Sequence, residues 1–240
     1  MKEKQVLLLS ASIKPFNAST QGRFNVEDRE QDYFKAVGFY LAKGYRVVLV
    51  DNCGYRSEKI QSSYLANTQF EYLVFETKRS HLGKSQGEVE IIDYALIHSR
   101  LLNEVEYLIK ITGRYIIRNI DQILTPTHGV EKEVYINPTR NLKWADTRLM
   151  VMRKSYYHNY FRVAVDRYLD ESQKVYMENT FMRSLHLFLL DGGDFSLWPA
   201  YPAYDAYDGT HNDKISFSFL KLMKYNIYYK FKKFSFKHRV

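Results

Sequence analysis

The chain has 240 residues with one cysteine, five prolines and eleven glycines, and 35 Lys or Arg against 27 Asp or Glu give a net charge of +8. That length suffices for one sizeable core without an interdomain linker, and a single cysteine excludes an internal disulfide and a cysteine-based zinc site. The basicity is local: residues 221–240 hold seven Lys or Arg and no Asp or Glu, which leaves 28 basic against 27 acidic residues in the rest.

Val6 to Leu9 is an apolar run too short for a signal peptide or a membrane span, and it reads as a buried first strand ending at Ser10-Ala11-Ser12. Asp32 to Lys43 sets Tyr33, Phe34, Val37, Tyr40 and Leu41 at helical spacing, with Gly44 as a stop. Tyr45 to Val50 is β-branched and ends at Asp51-Asn52-Cys53-Gly54, which predicts a second parallel strand. A third apolar stretch, Phe70 to Phe75, precedes the polar loop Glu76 to Gln86. Gly87 to Ser99 then places Val89, Ile92, Ala95 and Leu96 on one helical face, and Glu106 to Ile111 is a further strand, broken at Thr112-Gly113. Repeated strand-helix-strand units predict an α/β fold, a doubly wound, mainly parallel sheet flanked by helices, with ligands beyond the carboxyl ends of its strands. The candidate site loops are therefore Ser10–Ser12, Asp51–Gly54 and Thr112–Arg114.

The second half is less regular. Val134 to Ile136 and Leu149 to Met152 read as strands, Tyr156 to Leu169 as an aromatic-rich helix, and Tyr176 to Leu190 as another. Asp191 to Asp213, rich in Gly, Pro, Asp and Tyr, reads as a long loop. Residues 216–240 form a basic, aromatic tail beyond a catalytic unit of residues 1–215, a mixture suited to an anionic membrane surface or to nucleic acid.

The chain has no GxxxxGK[ST] phosphate loop, no GxGxxG after the first strand, no HExxH and no GxSxG, and its seven histidines show no ligand spacing. Four blocks carry the remaining chemistry. They are the first strand with Ser10; the helix opened by Gly83-Lys-Ser-Gln-Gly-Glu88; the strand Leu108-Ile-Lys-Ile-Thr-Gly-Arg-Tyr115; and the pair Asp146-Thr-Arg148 with Val175-Tyr-Met-Glu178. Lys84 and Gly87 open a helix whose N–H groups suit a phosphate, whereas Glu88 and Glu90 sit where the helix dipole favours acids in any case. Lys110 and Arg114 suit either diphosphate neutralisation or ion pairing beside a Gly turn. Asp146 and Arg148 share one face of an extended segment, as a ligand-binding pair or a salt bridge.

In this order the blocks resemble bacterial sugar transferases of capsule and O-antigen gene clusters, with a GT-A, Rossmann-like nucleotide-sugar-binding architecture over about residues 5–215. The resemblance implies transfer of a hexose from a nucleoside-diphosphate sugar, UDP-linked, to a lipid-linked or oligosaccharide acceptor. Glu178 is the implied catalytic base and Asp146 the second candidate. The donor site draws on Ser10, Asp51, Lys84, Gly87, Lys110, Thr112, Gly113, Arg114 and Arg148, with His211 and Lys214 from the late loop. Many such enzymes carry an Asp-x-Asp metal motif where this chain reads Thr112-Gly113-Arg114, so no metal cofactor is expected. Trp198, Tyr201, Tyr204 and Tyr207 are candidates for sugar stacking, and Trp144 for stacking on a sugar or base.

The tail implies a cytoplasmic enzyme peripheral to the inner face of the membrane. The alternatives are a nucleic-acid-binding protein using the tail, disfavoured by the near-neutral remainder, and another nucleotide-dependent transferase such as a nucleotidyltransferase.

Overall fold

The structure, a computed structural model, describes residues 5–15, 22–23, 25–127, 132–208 and 212–237. Strand β1 (Val6–Ala11) is buried at every position, and β2 (Arg46–Asp51) and β3 (Phe70–Val74) lie parallel beside it in turn. Between them run α1 (Val26–Ala42) and α2 (Glu58–Tyr64). Helix α1 begins six residues before the apolar spacing suggests. The Asn25 side chain caps it by accepting from the Asp28 N–H at 3.0 Å, and Glu27 and Asp28 suit its first turn.

Helices α3 (Lys84–His98) and α4 (Arg100–Asn103) return the chain to β4 (Tyr107–Thr112), which pairs in parallel with β1 on the side opposite β2. After β5 (Ile116–Ile117) and α5 (Ile120–Thr127) come β6 (Val134–Tyr135), β7 (Pro138–Thr139), β8 (Trp144–Ala145) and β9 (Leu149–Arg153).

The expected helix over Tyr156 to Leu169 is interrupted. Helix α6 (Lys154–Tyr156) passes into a π-helical turn, Tyr157–Phe161, before α7 (Arg162–Tyr168). Tyr156 and Tyr157 are adjacent in sequence and both fully buried, yet their hydroxyls reach different partners: Ser184 Oγ at 2.7 Å and Asp93 Oδ1 at 2.6 Å. The wider turn accommodates both.

Helix α8 (Met177–Leu190) precedes β10 (Phe195–Ser196), β11 (Tyr204–Tyr207) and β12 (Lys214–Ile215), and α9 (Phe219–Lys237) closes the chain. The stretch Asp191–Asp213 is thus no structureless loop. Strand β10 joins the main sheet through β6, and β11 lies between β5 and β12 in a sheet of their own. Strands of two to four residues carry too little periodicity to be legible in sequence.

The seven-stranded sheet has the order β10-β6-β9-β4-β1-β2-β3, and β9 runs antiparallel to both of its neighbours. This is the expected single Rossmann-like α/β domain. The chain builds outward from β1 to β3 and then crosses back to β4, so the strand order reverses between β1 and β4. In open α/β sheets, ligands bind at such a reversal, outside the carboxyl ends of the strands.

Candidate functional site

The reversal point brings Ser10, at the end of β1, beside Thr112 and Gly113, at the end of β4. Gly113 donates its N–H to the Ser10 carbonyl at 2.8 Å, and a Cβ on it would stand 2.5 Å from that oxygen. Only glycine allows the two loops to approach this closely.

A connected polar chain runs from there into the protein. Ser10 Oγ donates to Glu88 Oε1 at 2.9 Å, and the same carboxylate is ion-paired with Lys110. Lys110 has no exposed surface. Its ammonium donates to the Thr147 carbonyl at 3.0 Å and to Thr112 Oγ1 at 3.4 Å, and Thr147 Oγ1 donates to Glu178 Oε1 at 3.3 Å. Lys110 therefore forms no surface ion pair; it is the buried hub between α3, β4 and the segment before β9. Burial raises the Glu178 carboxyl above its ordinary pKa, the charge of Glu88 adds to this, and Lys110 opposes it.

Glu88 carries more of this arrangement than a helix-dipole role requires. The signal available in the sequence is its spacing: Ser85, Val89, Ile92 and Ala95 of α3 are buried, and Glu88 stands one residue before Val89 on the flank of that face.

Three further cations belong to the elements around this reversal: Arg29 of α1, Lys84 of α3 and Arg114 after β4. Arg114 donates from Nε to the Tyr207 carbonyl at 3.2 Å. Arg29, buried on α1, donates from Nε to the Ser12 carbonyl at 3.0 Å and from Nη1 to the Arg23 carbonyl at 3.1 Å. Lys84 opens α3. Its pKa is lowered, first by desolvation and then by the charges of Arg114 and Arg29, against the raising effect of Glu171 and Asp208. Lys84 thus feels the charges of Arg114, on the turn after β4, and Arg29, on α1, with Glu171 the strongest charge acting on it and Asp208 opposing the arginines as well. Arg29 lies outside the expected set, although it continues the buried α1 face of Tyr33, Ala36, Val37 and Tyr40 by one turn.

Several expected ligand groups are engaged within the fold. Asp51 is fully buried and accepts from the Ile13 N–H at 2.7 Å and from the Cys53 N–H and Sγ at 2.8 Å, so it braces the loop after β1. Burial and the Asp51 charge push the Cys53 thiol up to about 12, which removes it as a nucleophile near neutral pH.

The N-terminus of α3, expected to face phosphate, is met by an internal anion: the Ser85 N–H donates to Glu171 Oε1 at 2.6 Å. Gly83, at φ +112°, lies so close to that carboxylate that any Cβ would collide with it. Gly87 is a packing position: a Cβ on it would stand 2.9 Å from Asn52 Nδ2, which donates to the Gly87 carbonyl at 3.2 Å.

Asp146 and Arg148 form a two-point pair, at 2.8 and 2.7 Å, with the guanidinium 4.2 Å above the centre of the Tyr204 ring. Asp146 is buried, so this is no ordinary surface salt bridge. Lys214 is exposed on β12, and His211 lies outside the described residues.

Of the aromatics proposed for stacking, Trp198 and Tyr204 belong to the core. Trp198 donates to the Tyr135 carbonyl at 3.1 Å, Tyr207 is covered by the Arg23 guanidinium, Tyr201 stacks on Tyr225, and Trp144 lies under Arg140.

No protein-family profile matches the chain, and no curated protein sequence matches it. Among solved structures, the inositol-1-phosphate CTP transferase from T. maritima matches with a TM-score of 0.52 over 89% of this chain and 92% of that one, at 15% identity. At that identity the likeness speaks for the fold, and it agrees with a single Rossmann-like domain. It also corrects the functional expectation. A solved structure that shares this architecture over nearly its whole length is named a CTP transferase, so the expectation of a sugar transferase of capsule or O-antigen synthesis is not retained.

Proposed function

We propose that the chain is a nucleotidyltransferase that binds a nucleoside triphosphate at the β1–β4 reversal and transfers its nucleotidyl group to a phosphomonoester. The observation that carries this reading is the reversal of strand order between β1 and β4, where the Ser10 and Gly113 loops meet at the carboxyl ends of the strands with Arg114 next in the chain. The likeness to a CTP transferase supports the same class.

In this reaction an oxygen of the acceptor phosphate forms a bond to the α-phosphorus of the triphosphate. The bond from that phosphorus to the bridging oxygen breaks, and its electron pair leaves with pyrophosphate. Negative charge gathers on the departing group, which Lys84 and Arg114 are suited to stabilise. A phosphomonoester has a second pKa of about 6, so near neutral pH the nucleophile is already anionic and needs no general base. Glu178 then serves the polar chain around Lys110 rather than proton abstraction. The protein's own cations, not a resident metal, carry the charge neutralisation in this proposal. A divalent ion arriving with the triphosphate is part of the substrate.

A thermal-shift panel of CTP, UTP, GTP, ATP and dTTP, with and without Mg²⁺ and beside the corresponding nucleotide sugars, tests the reading. A triphosphate at a hundred times its Kd should stabilise the fold by about 2.7 kcal/mol. A panel in which no triphosphate shifts the melting temperature overturns it.

A further inference from the structure

We infer that α9 is a membrane-surface helix whose outer apolar stripe, flanked by lysines, seats this protein on an anionic bilayer. The helix is nineteen residues long, and its two sides have separate tasks. The inner side is fixed to the domain: Tyr229 is buried, Tyr225 stacks on Tyr201 with ring centroids 4.9 Å apart, and Asn226 Oδ1 accepts from the Tyr201 N–H at 3.3 Å. Lys232 donates to Asn137 Oδ1 at 2.6 Å, and Lys233 to the Pro199 carbonyl at 3.1 Å.

The outer side carries Leu220, Met223, Ile227 and Phe231, spaced by three, four and four residues, which aligns them along one face. Leu220 is 76% exposed, Ile227 53% and Phe231 69%. At 100° per residue, Lys221 and Lys224 fall on one flank of that stripe and Lys230 on the other, all three exposed.

The arrangement decides between partners. A nucleic-acid surface calls for cations at the centre of the contact, whereas here apolar side chains hold the centre and lysines the edges. That is the pattern of a helix lying in the headgroup region, with its apolar face buried shallowly and its lysines meeting anionic lipid. No helix among the described residues is long and apolar enough to cross a membrane. Residues 221–240 themselves contain no acidic residue to oppose such a surface.

The test is co-sedimentation of the full chain with vesicles of phosphatidylglycerol and phosphatidylcholine, against vesicles of phosphatidylcholine alone. Binding to the anionic vesicles is expected, weakened by salt, and reduced by about tenfold or more in an Ile227→Glu, Phe231→Glu double variant with an unchanged melting temperature. A Lys221→Ser, Lys224→Ser, Lys230→Ser variant, which leaves the apolar face whole, should lose the preference for anionic lipid. Three outcomes overturn the inference: no binding to anionic vesicles, equal binding by the double variant, or sedimentation-equilibrium evidence that the stripe is covered by a second copy of the chain. Salt-sensitive oligonucleotide binding without vesicle binding would assign the helix to nucleic acid instead.

Discussion

Lys110, wholly buried on β4, is ion-paired with Glu88 on α3, and the same ammonium donates to the Thr147 carbonyl 37 positions along the chain. One cation thereby joins the strand at the reversal point to the helix before it and the segment after it.

Removing that cation leaves Glu88 without its charge partner beside Ser10. Lys110→Met should cost about 3 kcal/mol, at the lower end for breaking a buried pair because Glu88 is partly exposed. Lys110→Met with Glu88→Gln should recover part of the loss. Urea unfolding of the two variants measures both, and a fully stable single variant would show that the pair contributes nothing.

Gly113→Ala forces a Cβ to within 2.5 Å of the Ser10 carbonyl, where the obstacle is backbone rather than a movable side chain. The loops at the ends of β1 and β4 must part, at about 1–3 kcal/mol. Thermal melts should show the destabilisation, and triphosphate-induced stabilisation should fall with it, because Arg114, next to Gly113, and Arg29, held by the Ser12 carbonyl, lose their register.

Glu178 has a raised carboxyl pKa, first because of burial and then because of the Glu88 charge. The folded protein therefore favours the protonated form more than the unfolded chain does. The group's contribution to stability is fully present below the ordinary glutamate value of 4.5 and is lost as pH rises through the raised value. Glu178→Gln should accordingly be at least as stable as the parent at pH 7, with the difference vanishing as pH falls below 4.5. Turnover on a phosphomonoester should survive in the variant. A variant that binds triphosphate but is inactive would return Glu178 to the role of base.

Lys84→Ala and Arg114→Ala should each weaken triphosphate binding by about tenfold or more, the equivalent of one charge-assisted contact. Arg114→Lys should restore it only in part, since an ammonium offers no planar fork. Titration calorimetry at two salt concentrations measures both effects. Unchanged affinity in both alanine variants would place the phosphates elsewhere.

Much of the fold was legible because buried parallel strands are written as continuous apolar runs: Val6 to Leu9 and Tyr45 to Val50 needed no tertiary information. The segment Leu108 to Tyr115 was likewise recognisable as a strand and turn, which the fold places at the β1–β4 reversal. What stayed hidden depends on contacts far apart in sequence. Glu171 reaches the α3 N-terminus from 86 positions away, so the helix start looked open to phosphate although a carboxylate fills it. Trp198 and Tyr204 looked like stacking residues because their loop is rich in Gly and Pro, yet pairing of β11 with β5 buries Tyr204 and a hydrogen bond to β6 holds Trp198. Arg29 is a further case: it extends the buried face of Tyr33, Ala36, Val37 and Tyr40 by one turn, but the expected helix began at Asp32 and so left it out.

The central claim is nucleotidyl transfer at the β1–β4 reversal, and release of pyrophosphate from a triphosphate on addition of a phosphomonoester tests it most directly. Supplying the purified chain with each nucleoside triphosphate, Mg²⁺ and a set of phosphorylated polyols and sugars should give acceptor-dependent pyrophosphate that is abolished in a Lys84→Ala, Arg114→Ala double variant. No pyrophosphate with any pairing, or release that the double variant leaves untouched, would contradict the account.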